Sequence, residues 1–251
     1  MSVSIYHSSF HTCKRFFELF TNITNNTAIV FNTYGIEVKC SNKKIKINSI
    51  LDESSFTKYA CSEKIILAIS IQSINNIWKK HPTDTPIRIL YSGQNTILFI
   101  INNNSTYSIP CSIIDNSIYI ERIHTFDDFD YHVEFEIPPS YLYSFIKKIH
   151  KTNTTDKPIQ SIHFRSDVND QDIYIQHTHL PTNKQTERYH FITTIQESYT
   201  FHYINQIIKN NCKQKIKTLL FGLYTQQSMK ILSYVDSCSY IEYYIPPIKQ
   251  I

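Results

Sequence analysis

The chain has 251 residues, 41% of them hydrophobic, with 25 Lys and Arg against 21 Asp and Glu and a formal net charge of +4. That apolar share excludes an intrinsically disordered chain, the three glycines argue against a Gly-rich phosphate loop, and no apolar run approaches the roughly 18 residues of a membrane span. The length fits one large domain or two of roughly 120 residues. The charge is too mild to announce a nucleic-acid partner by itself, so its placement has to be read along the chain.

In chain order, Val3–Tyr6 reads as a strand, and Ser8–Phe20 then takes helical period. Phe10, Cys13, Phe16, Phe17 and Phe20 form its apolar stripe, and His11, Lys14, Arg15 and Glu18 the opposite one. Thr27–Asn32, Gly35–Cys40, Lys44–Ile50 and Ile65–Ile69 read as strands, being short runs rich in β-branched and aromatic residues. A second helix spans Ile71–His81 and stops at Pro82; Ile71, Ile74, Ile77 and Trp78 face in, and Gln72, Asn75, Asn76, Lys79 and Lys80 face out. Strands Ile87–Tyr91, Thr96–Ile101 and Tyr107–Ile114 follow, with a turn signal at Ser92-Gly-Gln-Asn95.

The stretch Asp115–Asp130, DNSIYIERIHTFDDFD, has no clear period and reads as an acidic connector with spaced apolar side chains. Beyond it, Tyr131–Glu136 is a strand. A third helix runs from Pro139 to Lys151, with Leu142, Phe145, Ile146 and Ile149 inward and Ser144, Lys147, Lys148 and Lys151 outward. Ile159–Phe164, Ile173–His177 and Tyr189–Thr194 read as strands, a fourth helix occupies about Tyr203–Lys213, and strands Lys217–Tyr224, Met229–Val235 and Ser239–Ile245 close the chain. Pro246 and Pro247 stop the last strand because they cannot donate to a ladder. The tail Ile248–Ile251 is too short to fold alone.

Two patterns emerge. The helices come two per half, each between strands, so the chain reads as two copies of one plan. Their outer faces carry nine Lys or Arg against a single acid, Glu18. An ordinary solvated helix mixes signs to form i, i+4 pairs.

The residues carrying a family resemblance are Phe56-Thr-Lys-Tyr59-Ala-Cys61 before the strand that leads into the second helix, Ile65 to Lys80 for that strand and helix, Thr33-Tyr-Gly35-Ile-Glu-Val38, Tyr131 to Pro138, and Ile241-Glu-Tyr243-Tyr244-Ile245-Pro-Pro247. In order and spacing this set resembles the sliding clamp of the proliferating-cell-nuclear-antigen type. The resemblance implies an α+β DNA clamp (processivity) fold: two similar domains, each with two helices packed on antiparallel sheets, at 1–115 and 131–251, joined by a connector at 116–130. It also implies a homotrimeric ring around double-stranded DNA. Lys14, Arg15, Lys79, Lys80, Lys147, Lys148, Lys151, Lys209 and Lys213 would face the phosphates. Subunits would meet at exposed sheet edges near Tyr107, Ile109, Cys111, Tyr174 and Gln176. DNA polymerase and other replication or repair proteins would insert a short clamp-binding peptide at Ile45, Ile47, Ile123, Phe126, Tyr244 and Pro246. His124 stands where the family usually has an aliphatic residue, which implies an altered partner preference. A clamp loader belongs to the same picture, and the working place is a nucleus or a cytoplasmic viral replication site, the compositional bias suiting a virus or a parasite.

Family members are commonly acidic, whereas this chain is basic. The alternative is therefore a clamp-fold DNA-binding accessory or transcription factor that acts as a monomer or dimer without ring closure. No enzyme is expected: no nucleophile elbow, P-loop or HExxH pattern occurs. Gln176-His-Thr-His179 lacks further ligands at metal-site spacing, and Asp127-Asp128-Phe129-Asp130 reads as a solvated linker, so neither a metal nor another cofactor is expected. The opening MSVSIYHSS is no signal peptide, and six cysteines without a CxxC pair read as reduced thiols of an intracellular protein.

Overall fold

The computed structural model describes residues 2–41, 44–115, 131–152, 161–169, 172–175, 178–180, 190–224 and 227–248, with side chains for all of these except 149–152, 178–179 and 190–191. They form two compact units, one of Met1–Ser41, Ile47–Phe126 and Tyr234–Ile241, the other of Asn42–Lys46, Asp127–Ser233 and Glu242–Ile251.

The first half runs β1 (Val3–His7), α1 (His11–Glu18), β2 (Asn26–Asn32), β3 (Gly35–Ser41), β4 (Lys46–Asp52), β5 (Lys58–Cys61), β6 (Ile65–Ser70), α2 (Ile71–Trp78), β7 (Ile87–Tyr91), β8 (Thr96–Ile101), β9 (Ser105–Pro110) and the two-residue β10 (Ser112–Ile113). The second runs β11 (Val133–Ile137), α3 (Pro139–Thr152), β12 (Ser161–Asp167), β13 (Asp172–Ile175), β14 (Thr178–Leu180), β15 (His190–Phe191), β16 (Gln196–Thr200), α4 (Phe201–Lys213), β17 (Leu219–Leu223), β18 (Met229–Tyr234) and β19 (Tyr240–Ile245). Among the described residues, and apart from β10, each half reads strand, helix, five strands, helix, three strands.

In the first unit the sheet runs are β5-β1-β7-β8-β9 and β10-β6-β2-β3-β4. In the second they are β14-β13-β12-β16 and β19-β18-β17-β11-β15. Every strand pair with a defined register is antiparallel, as in Phe31↔Ile36 of the β2–β3 hairpin and Phe135↔Phe221 of β11–β17. Burial alternates along β8 and β12, so one face of each sheet looks into a core. The β2–β3 turn needs Gly35: its φ is +142°, and a Cβ there would lie 2.3 Å from the Leu51 carbonyl oxygen.

The helices are held by their apolar stripes. In the first unit Trp78 of α2 is fully buried. It stacks on Phe10 at 5.2 Å, lies 6.3 Å from Phe17 of α1 and meets Phe99 of β8 edge-on at 5.7 Å. Asn75 of α2 donates to the Phe17 carbonyl and to Thr21. In the second unit Leu142 and Ile146 of α3 and Ile204, Ile207 and Ile208 of α4 are buried, and Phe135 and Phe221 stack at 5.0 Å across β11 and β17. Truncating such a central aromatic to Ala costs about 3–5 kcal/mol.

The structure shifts some expected boundaries. The first helix keeps its apolar period through Phe20, but Leu19, Phe20 and Thr21 donate to carbonyls three residues back, a tight exit turn that ends α1 at Glu18. Likewise α2 ends at Trp78 rather than His81, with Lys80 donating to Ile77. Three strands were not anticipated as such: β5, β14 and β16.

Candidate nucleic-acid interface

Because each helix buries one stripe, its remaining residues form an outer face. In α1 that face holds His11, Lys14, Arg15 and Glu18, none of them buried. Lys14 Nζ lies 4.0 Å from Glu18 Oε1 one turn on. Arg15 turns back into its own unit, donating to the Val235 carbonyl at 2.9 Å near Asp236. Asp236 in turn accepts from Ser55 Oγ and from the backbone N–H groups of Cys238 and Ser239. The Arg15 guanidinium thus anchors the 235–239 turn, a role that its place on the stripe did not reveal. α2 presents Gln72, Ser73 and Asn76, capped by Ser70, whose hydroxyl accepts from Ser73 N–H. Lys79 and Lys80 are exposed just past its end.

In the second unit α3 exposes Ser140, Tyr141, Ser144, Lys147 and Lys148. Lys147 Nζ sits 4.3 Å from the centroid of the Tyr143 ring. Lys151 belongs to the same helix, but its side chain lies outside the described ones. On α4, His202, Asn205, Gln206, Lys209 and Lys213 fall at helical spacing along one unburied stripe. Neither α3 nor α4 contains an acidic residue or an arginine. Such faces attract anions along their length; without bidentate guanidinium forks they are suited to phosphates rather than to base edges.

β9 is an edge strand of its sheet run. Tyr107 on it is held from the end of α2: His81 Nε2 lies 2.7 Å from its hydroxyl, and Lys80 Nζ lies 5.4 Å from its ring centroid. Ile109 and Cys111 are buried. On the other expected edge the structure makes a correction. β13, which carries Tyr174, is paired on both sides by β12 and β14, so β14 is the edge of that run. Tyr174 instead stacks under Arg165, 4.7 Å from the guanidinium. Gln176 lies outside the described residues.

Of the residues expected to receive a partner peptide, Ile45 and Ile47 are fully buried at 0% exposure. They present no surface to a partner. Tyr244 is 6% exposed; its hydroxyl donates to Glu242, which pairs with Lys230 at 2.7 Å. Pro246 is partly exposed, and Ile123 and Phe126 lie outside the described residues. Past the last strand, Pro247 bridges Tyr199, and Ile248 N–H donates to the Ser198 carbonyl at 2.7 Å. Pro247 and Ile248 therefore lie along the edge strand β16.

A shallow groove of about 360 Å³ is lined by Ser2, Ser4, Thr33, Tyr59 and Cys61, with no acid or histidine among its lining residues. Burial pushes the Cys61 thiol up, against nucleophilic use. Among the described residues, no group of three His, Cys, Asp or Glu side chains is placed to hold a metal ion, and no helix is long and apolar enough to cross a membrane.

A duplicated α+β plan, with two helices and two antiparallel sheet runs in each unit, defines the DNA-clamp class of folds. The chain is similar to a chain of the PCNA2-PCNA3 complex from Sulfolobus tokodaii, with a TM-score of 0.78 over 97% of this chain and 98% of that one at 11% identity. Its fold is that of the PCNA-type sliding clamps. No protein-family model matches the sequence, and no curated protein matches it either.

Proposed function

We propose that this protein is a non-enzymatic DNA sliding clamp and DNA polymerase processivity factor. Three copies would close into a ring around duplex DNA and tether replication and repair proteins to it. One coincidence carries the reading: a clamp fold along nearly the whole chain, whose four described helices contain a single acid, Glu18. A ring that slides needs cations facing the phosphates and no base-reading groups, and a partner held on such a ring stays near its template at high effective concentration.

Residues 1–115 and 131–251 serve as the two domains and 116–130 as their connector. Ring closure uses the edges β9 and β14, since pairing between subunits also covers edge strands that would otherwise invite aggregation. The polymerase and other peptide-bearing partners dock at the connector and at the end of the last strand, where Tyr244 lies in β19 and Pro246 follows it. A clamp loader opens the ring. The place of work is where DNA is replicated, a nucleus or a cytoplasmic viral replication site.

The test is solution mass by light scattering, followed by retention on DNA. The expected mass is about 89 kDa, three copies of the 29.6 kDa chain. The expected complex stays on circular duplex DNA and slides off once the circle is cut. A single-chain mass, with equal binding to both DNA forms, would instead identify a clamp-fold accessory or transcription factor that has given up the ring.

A further inference from the structure

In the sheet run β5-β1-β7-β8-β9 the inward side chains, such as Ile5, Ile89 and Phe99, are buried. Successive strand residues alternate in direction, so the residues between them point away from the core. Register aligns these outward residues into two rows across all five strands. One row is Lys58, Tyr6, Arg88, Ile100 and Thr106; the other is Ala60, Ser4, Leu90, Leu98 and Ser108. All ten are partly or fully exposed.

The middle of this face is apolar: Leu90 of β7 is paired with Leu98 of β8, and Ile100 of β8 with Arg88 of β7. Its charge is of one sign. Neither row contains an acid, and the side chains of Lys58 and Arg88 have no partner among the described residues. A phosphate backbone matches such a face poorly, because it would meet two cations but leave three aliphatic side chains against charged oxygens. A second copy matches it poorly as well, since in a two-fold contact the same acid-free patch would face itself. An acidic protein segment with apolar side chains answers both features.

We propose that this sheet face is a docking surface for an acidic amphipathic helix of another protein. The apolar stripe of that helix covers Leu90, Leu98 and Ile100, and its carboxylates reach Arg88 and Lys58. These two cations stand on either side of β1, about 10 Å apart at the usual strand spacing, a length that about two turns of helix span. Complementary charge of this kind decides which partner binds more than how tightly. The inference goes beyond the clamp reading, whose peptide partners dock at the connector and at β19, a strand of a different sheet run.

The experiment uses the full chain and two synthetic helical peptides that share one leucine stripe. One carries Glu along a flank of the stripe, the other Lys at the same positions. Affinity is read by fluorescence anisotropy and contact by methyl NMR shifts. The Glu peptide is expected to bind and to shift the methyls of Leu90, Leu98 and Ile100. The double variant Lys58→Glu, Arg88→Glu is expected to bind it about tenfold more weakly and to prefer the Lys peptide. Both positions are exposed, and an unchanged melting curve checks that the variant folds. Absent binding of the Glu peptide, equal binding of the two peptides to the wild type, or equal binding of the Glu peptide to wild type and variant overturns the inference. A loss of duplex DNA affinity in the variant as large as its loss of peptide affinity also overturns it and gives the face to nucleic acid. A lower solution mass of the variant overturns it and gives the face to a second copy. Retention on circular DNA is a separate readout, so either reading can fail without the other.

Discussion

Gly222 shows how one residue fixes a neighbourhood. A Cβ there would sit 2.6–2.8 Å from the Tyr131 ring, which lies flat on the glycine backbone. The same ring lies 5.7 Å from Lys230 Nζ, the partner of Glu242. Gly222→Ala is expected to lower stability by about 1–3 kcal/mol through overpacking, read as a reduced urea midpoint. In a Tyr131→Leu background the same change is expected to cost clearly less; an equal cost in both backgrounds would remove the ring from the explanation. Asp236 gives a pH signature. Burial alone would raise its pKa, but hydrogen bonds from Ser55, Cys238 and Ser239 outweigh that, and the net value is lowered. A carboxyl depressed on folding stabilises the protein above its unfolded pKa, and this contribution fades as pH falls through the folded one. The stability gap between wild type and Asp236→Asn should be full at neutral pH and shrink as pH drops below about 4. A gap that persists unchanged into acid would refute the assignment. Thiol reactivity should follow burial as well: Cys238 is exposed, whereas Cys13 is buried and pushed up to about 12. A thiol reagent at pH 8 should label Cys238 early and Cys13 only on unfolding, as peptide mass mapping would show.

Among the elements, the legible ones were those whose own stripe faces a core. The apolar periods of α2 and α3 and the alternation of β8 are visible without knowing any partner, because burial is written into successive residues. β5 and β16 are different. β5 buries none of its four residues, and β16 buries only Tyr199, so neither leaves a hydrophobic rhythm to read; both exist because β1 and β12 offer them hydrogen bonds. Arg15 was misread for a related reason. Its stripe is local, but the carbonyl it serves is 220 residues away along the chain, a distance that helical period cannot register. The basic stripes of α3 and α4 can be read from sequence because neither helix contains an acid. The tail adds a prediction at this scale. Pro247 and Ile248 lie along β16, so removing residues 247–251 uncovers the edge of that sheet run. The shortened chain is expected to associate more readily on concentration, by dynamic light scattering; unchanged behaviour would mean that the edge is protected by something else.

At the scale of the whole molecule, the corrected edge strand changes the variant that should break assembly. β14, not β13, bounds its sheet run. The N–H groups of Thr178 and His179, being consecutive strand residues, point to opposite sides. A proline at one of them removes a bond to β13, and a proline at the other removes only the outward donor. If three copies close the proposed ring through β14, one of Thr178→Pro and His179→Pro should remain folded yet fall from the ring mass to that of a single chain, with affinity for linear DNA retained. If both stay assembled, β14 is not the joint.

Tyr107 belongs to the edge strand β9, yet its hydroxyl and ring are gripped by His81 and Lys80 at the end of α2. With β9 as a joint between subunits, one side chain reports to two binding events. On the proposed clamp reading, a phosphate that drew Lys80 off the tyrosine ring would alter the strand's readiness to pair, and pairing would alter the affinity for that phosphate by the same factor, since such coupling is reciprocal. Template and ring closure would then share a free energy through a single aromatic residue, and a ring built this way would be harder to open when loaded than when empty, or easier, according to the sign of that one term.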